Sequence, residues 1–352
     1  MPFSFRLSRR AMLALGVSGL ALGLAGSPAA VAADPALLAA ARKEGEVVWY
    51  TTLILEQAVR PLAAAWARKY PEIKLTFSRA GSADQATKIL NEARVGRLQA
   101  DVFDGSTTIF PLIPAGLVEN YKPAAAAQYP TDFKDADGRW TAINAYYMIV
   151  AYNSKSVAPA DVPKRWEDLL SPKFQGQIAV SQDESVDGLP GLVGQILGHM
   201  GQEKGMAYLR KLGEQKLARA ANGQRVVLDK IIAGEYALGI TMYLHHVDFS
   251  APKGAPIVWA PIEPTWATKN YLSLLKGAPH PNAGKLLIEF LLSEEGQSVL
   301  RDAGYAPVHP NVTPGNPALR PATGTFVYTT VGLDEQNKRL PEWVRISREL
   351  FR

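Results

Sequence analysis

The sequence contains no cysteine. That absence excludes a disulfide framework, a thiolate-bound metal or cluster, a thiol nucleophile and a lipid-modified N-terminal cysteine. Histidine is scarce, with five residues in 352, and only His245 and His246 are close in sequence. Adjacent residues point about 100° apart on a helix and to opposite faces of a strand, so one or both are expected at a surface. No G-x-S-x-G, H-E-x-x-H or Gly-Lys-Ser/Thr phosphate loop occurs. Gly188-x-x-Gly191-x-x-Gly194 has no nucleotide-loop spacing, and small residues at that interval suit close helix packing. A dominant charge sign is also missing. The formal excess is +5, but Arg6, Arg9 and Arg10 belong to the first ten residues, and the remaining Lys and Arg are scattered. Nucleic-acid binding needs a basic stripe on the folded domain, so no nucleic-acid partner is expected.

What is present begins with an address. Residues 1–10 are basic, residues 11–25 are apolar, and Ala30-Val31-Ala32-Ala33 supplies small residues for cleavage. This is the layout of a signal peptide over residues 1–33. The apolar run falls short of the roughly 20 residues that span a bilayer. Ser8-Arg9-Arg10-Ala11-Met12-Leu13 is similar to a twin-arginine export motif. After it, no stretch has eighteen consecutive apolar residues. The expectation is export to the periplasm as a free, soluble protein.

The remainder is 47% hydrophobic and 20% charged over the whole chain, a globular balance. Strand-like and helix-like segments alternate from Glu46 to Ala115, which predicts an α/β sheet with helical cover. A long extended run covers Ile143 to Tyr152. A second α/β series follows, then another extended run over 268–275 and helices to the end. Two series joined by two extended crossovers predict two lobes with a ligand cleft between them. The lobes are read as 34–143 plus 265–352, and 144–264.

Binding residues are expected where strands end and helices begin, because free backbone N–H groups and the helix dipole favour anions there. Those loops carry Thr51 and Thr52, Ser82, Ser106 and Thr107, Asp187 and Gly188, and Asn222-Gly223-Gln224. A single such loop is equally an N-cap; five at matching sheet ends favour binding. Arg79 and Arg225 lie close by. Of the pair Tyr146-Tyr147, at most one can enter the cleft from a strand, and Tyr147 is included as a candidate.

Several stretches resemble one family: Gly45-Glu46-Val47-Val48-Trp49-Tyr50-Thr51-Thr52, Ala115-Gly116-Leu117-Val118-Glu119, Tyr152-Asn153-Ser154-Lys155, Trp166 to Gly176, Ala233-Gly234-Glu235-Tyr236-Ala237 and Phe290 to Gln297. From about Glu44 to about Asn311 the chain resembles the extracellular solute-binding proteins of bacterial ABC importers, in the group that includes ferric-ion-binding proteins. The resemblance implies a type II periplasmic-binding fold that closes by hinge bending and docks on an inner-membrane permease, without catalysis. It implies a monomer with no resident cofactor, any Fe³⁺ being cargo. Ferric members resemble one another in paired tyrosines after the Gly-Ile strand. Here Gly239-Ile240-Thr241-Met242-Tyr243-Leu244 supplies Tyr243 alone as a metal ligand. The competing cargo is a small oxyanion such as a phosphonate or organic carboxylate, feeding transport or a sensor.

Overall fold

The computed structural model describes residues 34–220, 223–316 and 328–351. The expected signal peptide and Asn222 lie outside the described residues.

Asp34 caps helix α1 (Pro35–Glu44) by accepting from Ala36 N at 3.0 Å, and Gly45 closes it in the left-handed region at φ 75°. Then follow β1 (Glu46–Thr51), α2 (Arg60–Lys69), β2 (Lys74–Arg79), α3 (Ser82–Arg94), β3 (Val102–Gly105), the single turn α4 (Ile109–Leu112) and β4 (Val118–Glu119). The first crossover is β5 (Thr141–Asn153). The second series is β6 (Ile178–Ser181), α5 (Leu189–Met200), α6 (Gln202–Glu214), β7 (Ala218–Ala220), α7 (Gln224–Ala233), β8 (Leu238–Tyr243), α8 (Leu244–Ser250) and β9 (Ile257–Ala260). The return crossover is β10 (Thr265–Leu275), followed by α9 (Pro281–Leu292), α10 (Glu294–Asp302), β11 (Ala306–Pro307), β12 (Tyr328–Thr329) and α11 (Leu333–Leu350).

The main strand order is β2-β1-β3-β10-β5-β8-β6-β7. Its two ends follow one plan. Strands β2, β1 and β3 are parallel and meet β10 antiparallel; strands β7, β6 and β8 are parallel and meet β5 antiparallel. The two crossovers lie side by side and antiparallel at the centre, pairing from Trp266↔Met148 to Leu272↔Thr141. Every residue of β10 is buried, and β5 departs from full burial only at Tyr152. Strands covered on both faces tend toward continuous apolar runs, as β5 does from Ala145 to Tyr152, whereas β10 buries Thr268, Lys269, Asn270 and Ser273 as well.

Two large cores pack the sheet, and the first continues into the second series through Ala179, Leu228, Ile231 and Met242. Trp49, Trp66 and Phe290 anchor the first, and Val180, Leu192, Ile196 and Leu209 the second. The C-terminal helix α11 packs on α5 and α6, so the tail expected with the first lobe places Trp343, Ile346 and Phe351 in the second core. A Cβ at Gly194 would sit 2.7 Å from the Trp343 ring, and one at Gly191 would sit 1.7 Å from Val186 O. The small residues at helical spacing therefore serve close packing.

Candidate functional site

On the first series the loops after β1 and β3 are tied through Asp104. Its buried carboxylate accepts from Trp49 Nε1 at 2.9 Å, Thr52 N at 3.0 Å, Thr52 Oγ1 at 2.8 Å and Asn270 Nδ2 at 3.1 Å. Burial raises its pKa, and the donors oppose the rise. Thr51 is fully buried, and its hydroxyl accepts from Leu53 N at 3.1 Å. Thr51 and Thr52 thus hold the first loop in shape. Ser82 opens α3 beside Gly105, where an added Cβ would lie 3.1 Å from Ser82 Oγ. Thr107 is half-buried and its carbonyl accepts from Phe110 N at 3.2 Å.

A second carboxylate joins the two series. Asp187, 3% exposed just before α5, accepts from Ser106 Oγ of the loop after β3 and from Thr268 Oγ1 of β10 at 3.0 Å. The Tyr243 hydroxyl is a further partner. Burial pushes the Asp187 carboxyl up to about 6, Asp183 adding to the rise and the three hydroxyls opposing it. Its backbone carbonyl accepts from Gln224 Nε2 at 2.6 Å, and Gly223 N donates to Ser181 Oγ at 3.0 Å. Gly188 caps α5 where a Cβ would fall 2.0 Å from Asp183 O, a close approach only glycine permits. The expected loops therefore do converge on one region between the series.

A ring cluster lines that region. Asn144 and Tyr146 of β5 share the strand face from which Asn270 Nδ2 reaches both, each at 3.1 Å. Tyr147 points to the other face and is buried in the first core. Tyr146 stands 4.9 Å from Tyr243 and 5.4 Å from His245, between ring centroids. His245 stacks on Tyr305 at 4.7 Å and 24°, and its ring is 4.3 Å from that of His246. The expectation that the histidines face a surface is corrected: they are 5% and 6% exposed. They open α8, which starts directly after β8 rather than continuing the strand. Burial lowers the pKa of both; for His246, down to about 3, the Arg225 and Arg79 charges add to the fall.

The local cause is a bulge. Ile149 pairs with Met242 and Ala151 with Gly239, so Ile240 and Thr241 together oppose Val150. Thr241 takes φ 60°, outside the ordinary range for a β-branched residue. The extra residue re-aims the strand end and delivers Tyr243, His245 and His246 to the cleft.

Sequence reasoning missed Tyr146, His245, His246, Tyr305, Asp104 and Asn270. Only Asp104 had a signal available, a lone acid at the end of an apolar strand. Among the described residues no group of three His, Asp or Glu side chains is arranged for a metal. A separate groove of about 630 Å³ lies between α1 and α9. Its Glu289 carboxylate already accepts from Tyr121 and from Ala124 N and Ala125 N.

A two-lobed fold with a polar cleft agrees with comparisons to known proteins. A putative 2-aminoethylphosphonate-binding periplasmic protein of Salmonella paratyphi A is 27% identical over 218 residues, 60% of this chain and 62% of the relative. An Fe(3+)-binding periplasmic protein of Serratia marcescens is 22% identical over 65% of this chain and 69% of its own length. The crystal structure of iron-bound HitA from Pseudomonas aeruginosa superposes with a TM-score of 0.73 at 20% identity, over 87% of this chain and 99% of that one, which establishes the periplasmic-binding fold. The family model for bacterial extracellular solute-binding proteins matches residues 99–324. The chain belongs to the family of bacterial extracellular solute-binding proteins.

Proposed function

We propose that this protein captures a small oxyanion in the periplasm and delivers it to the inner-membrane permease of an ABC importer. It acts as a monomer and without catalysis. The N-terminal signal exports it, by the twin-arginine route if the folded chain is the cargo. Residues 34–143 with 265–352 and residues 144–264 act as the closing lobes, and α11 covers the second. The observation that carries the reading is the charge balance of the cleft. Asp104 and Asp187 already accept from neighbouring donors, whereas the charges of Arg79 and Arg225 act on the same neutral imidazole of His246. The hydrogen-bonded carboxylates leave the helix starts at Ser82, Gly188 and Gly223 to offer backbone N–H groups, which suits an anion. The relative from Salmonella paratyphi A, named for a phosphonate, supports the same class.

Iron remains the second reading, because Tyr146, Tyr243 and His245 stand within 5.4 Å of one another as ring centroids. Phenolate oxygens are what a hard ferric ion prefers. A thermal-shift screen of the exported protein separates the two. At a hundredfold excess over Kd, a true ligand stabilises the folded state by about 2.7 kcal/mol. Stabilisation by phosphonates or phosphate esters, absent with Fe³⁺-citrate, supports the oxyanion reading. Stabilisation by Fe³⁺ alone that is lost in Tyr243→Phe overturns it.

A further inference from the structure

The loop between β6 and α5 reaches out of the second series into the first. Val186 is 1% exposed and packs in one apolar cluster with Phe103, Ile109 and Phe110 of the first series and Tyr271 of β10. Among the described residues it is the one member of that cluster from residues 144–264. Asp187 follows it. One of its carboxylate oxygens accepts from Ser106 Oγ after β3, and the other accepts from Thr268 Oγ1 of β10 at 3.0 Å. Tyr243, at the end of β8, adds its hydroxyl. The loop that carries this side chain is held on several sides. Ser185 N donates to Asp183 Oδ1 at 2.9 Å, Asp187 N to Ser185 Oγ at 3.1 Å, and Gln224 Nε2 to Asp187 O at 2.6 Å. Three hydroxyls from three different strands or strand ends thus point at one carboxylate of the chain itself.

A hydroxyl carries a single hydrogen, and those of Ser106, Thr268 and Tyr243 are all given to Asp187. An oxyanion arriving between the two series needs the same hydrogens. We infer that Asp187 is a built-in competitor of the cargo: its carboxylate sits in an anion seat made by the hydroxyls of Ser106, Thr268 and Tyr243, and it must swing out before an oxyanion can take them. This rests on the oxyanion reading and deepens it by naming the seat. Helix α5 starts at Leu189, just beyond Gly188, so the positive end of its dipole favours whichever anion fills that seat. Only the molecules whose carboxylate has withdrawn are competent, and the apparent affinity for cargo is lowered by that fraction. Asp187 therefore sets how strong an anion must be to enter.

The test is titration calorimetry at pH 7 with sulfate, inorganic phosphate and methylphosphonate, comparing the exported protein with Asp187→Ala. The variant should bind at least one of these anions about tenfold more tightly, the gain when a competent state of roughly one molecule in ten becomes the whole population. Asp183→Asn is the control, because it removes a neighbouring negative charge and leaves the three hydroxyls untouched. It should stay within about twofold of the wild type, the effect of one partly screened charge. Anion binding that is unchanged or weaker in Asp187→Ala overturns the inference and leaves the oxyanion reading standing. An equal gain in Asp183→Asn also overturns it, because charge alone then accounts for the effect. Silence of both proteins with all three anions overturns the oxyanion reading and the seat with it. Should Asp187→Ala fail to fold, Asp187→Asn, which keeps the size of the side chain, carries the same comparison, with a gain of the same sign expected.

Discussion

On the wall built from β1 and β3, the Asp104 carboxylate accepts four hydrogen bonds from Trp49, Thr52 and Asn270. On the facing wall built from β8 and α8, Thr241 Oγ1 and His246 Nδ1 are buried without partners. Thr241 also holds a positive φ. The carboxylate of the first wall is satisfied in the free protein, although Asn270 Oδ1 beside it is also buried without a partner. The facing wall keeps unmet hydrogen bonds and backbone strain, the pattern found where a ligand completes a site. Asp187 belongs to both, since it takes Ser106 from the first wall and hydrogen-bonds Tyr243 of the second.

The comparison fails first if the carboxylate of the first wall proves dispensable. Asp104→Ala strips the acceptor from four neutral donors and should cost at least about 1–3 kcal/mol, the range for a buried donor left unsatisfied. Denaturant unfolding measures it, and a loss below about 1 kcal/mol removes the contrast.

Two buried groups of the site should also respond to pH with opposite signs. Asp187 is raised to about 6, so the folded state holds its proton where the unfolded chain has lost it. Its contribution is complete below the ordinary aspartate range and falls by about 3 kcal/mol as pH rises to 6. His246 is lowered to about 3, so the unfolded chain takes up a proton that the folded state refuses. That contribution is complete above pH about 6.5 and falls as pH drops toward 3. The two slopes oppose each other between about pH 4 and 6. Asp187→Asn should therefore lose stability more steeply than wild type on acidification from pH 6, and His246→Gln should gain stability over the same interval. Equal profiles in all three proteins would mean neither group titrates as its surroundings require.

Smaller effects sharpen the assignment of the tyrosines. Tyr243→Phe removes the hydroxyl bonded to the Asp187 carboxylate and should cost about 1.5–3 kcal/mol of stability, read by denaturant unfolding, while cargo binding weakens about tenfold. Tyr147→Phe, on the opposite strand face, should leave binding within about twofold if only one of the adjacent pair enters the cleft. Smallest of all, Thr241→Gly relieves a left-handed residue and should leave the free protein equally stable or up to about 1 kcal/mol more so. A clear loss would show that packing of the threonine methyl outweighs the dihedral.

Much of the frame was legible. The strand–helix alternation that starts at Glu46 and the extended runs over Ile143 to Tyr152 and 268–275 reappear in β1 (Glu46–Thr51), β5 (Thr141–Asn153) and β10 (Thr265–Leu275), because β-branched runs and apolar spacing are local signals. The loops bearing Ser106, Asp187 and Gly223 were found because capping residues mark strand-to-helix turns. Helix α8 was not. The turn into it is made by Thr241 at φ 60° and not by Gly or Asn, so no breaker announced that the strand ended or that both histidines would turn inward. Tyr146 was passed over for Tyr147 because the strand's period fixes that neighbours face apart, while its phase depends on the pairing with β10.

The position of α11 has a consequence for how the chain acquires its shape. Strand β10 at residues 265–275 completes the first half, and Trp343, Ile346 and Phe351 complete the second. The second core cannot close until the residues of α11 have been made. Partners so distant in sequence raise the contact order and slow folding. Until α11 has been made, the apolar faces that α5 and α6 turn toward it stay uncovered.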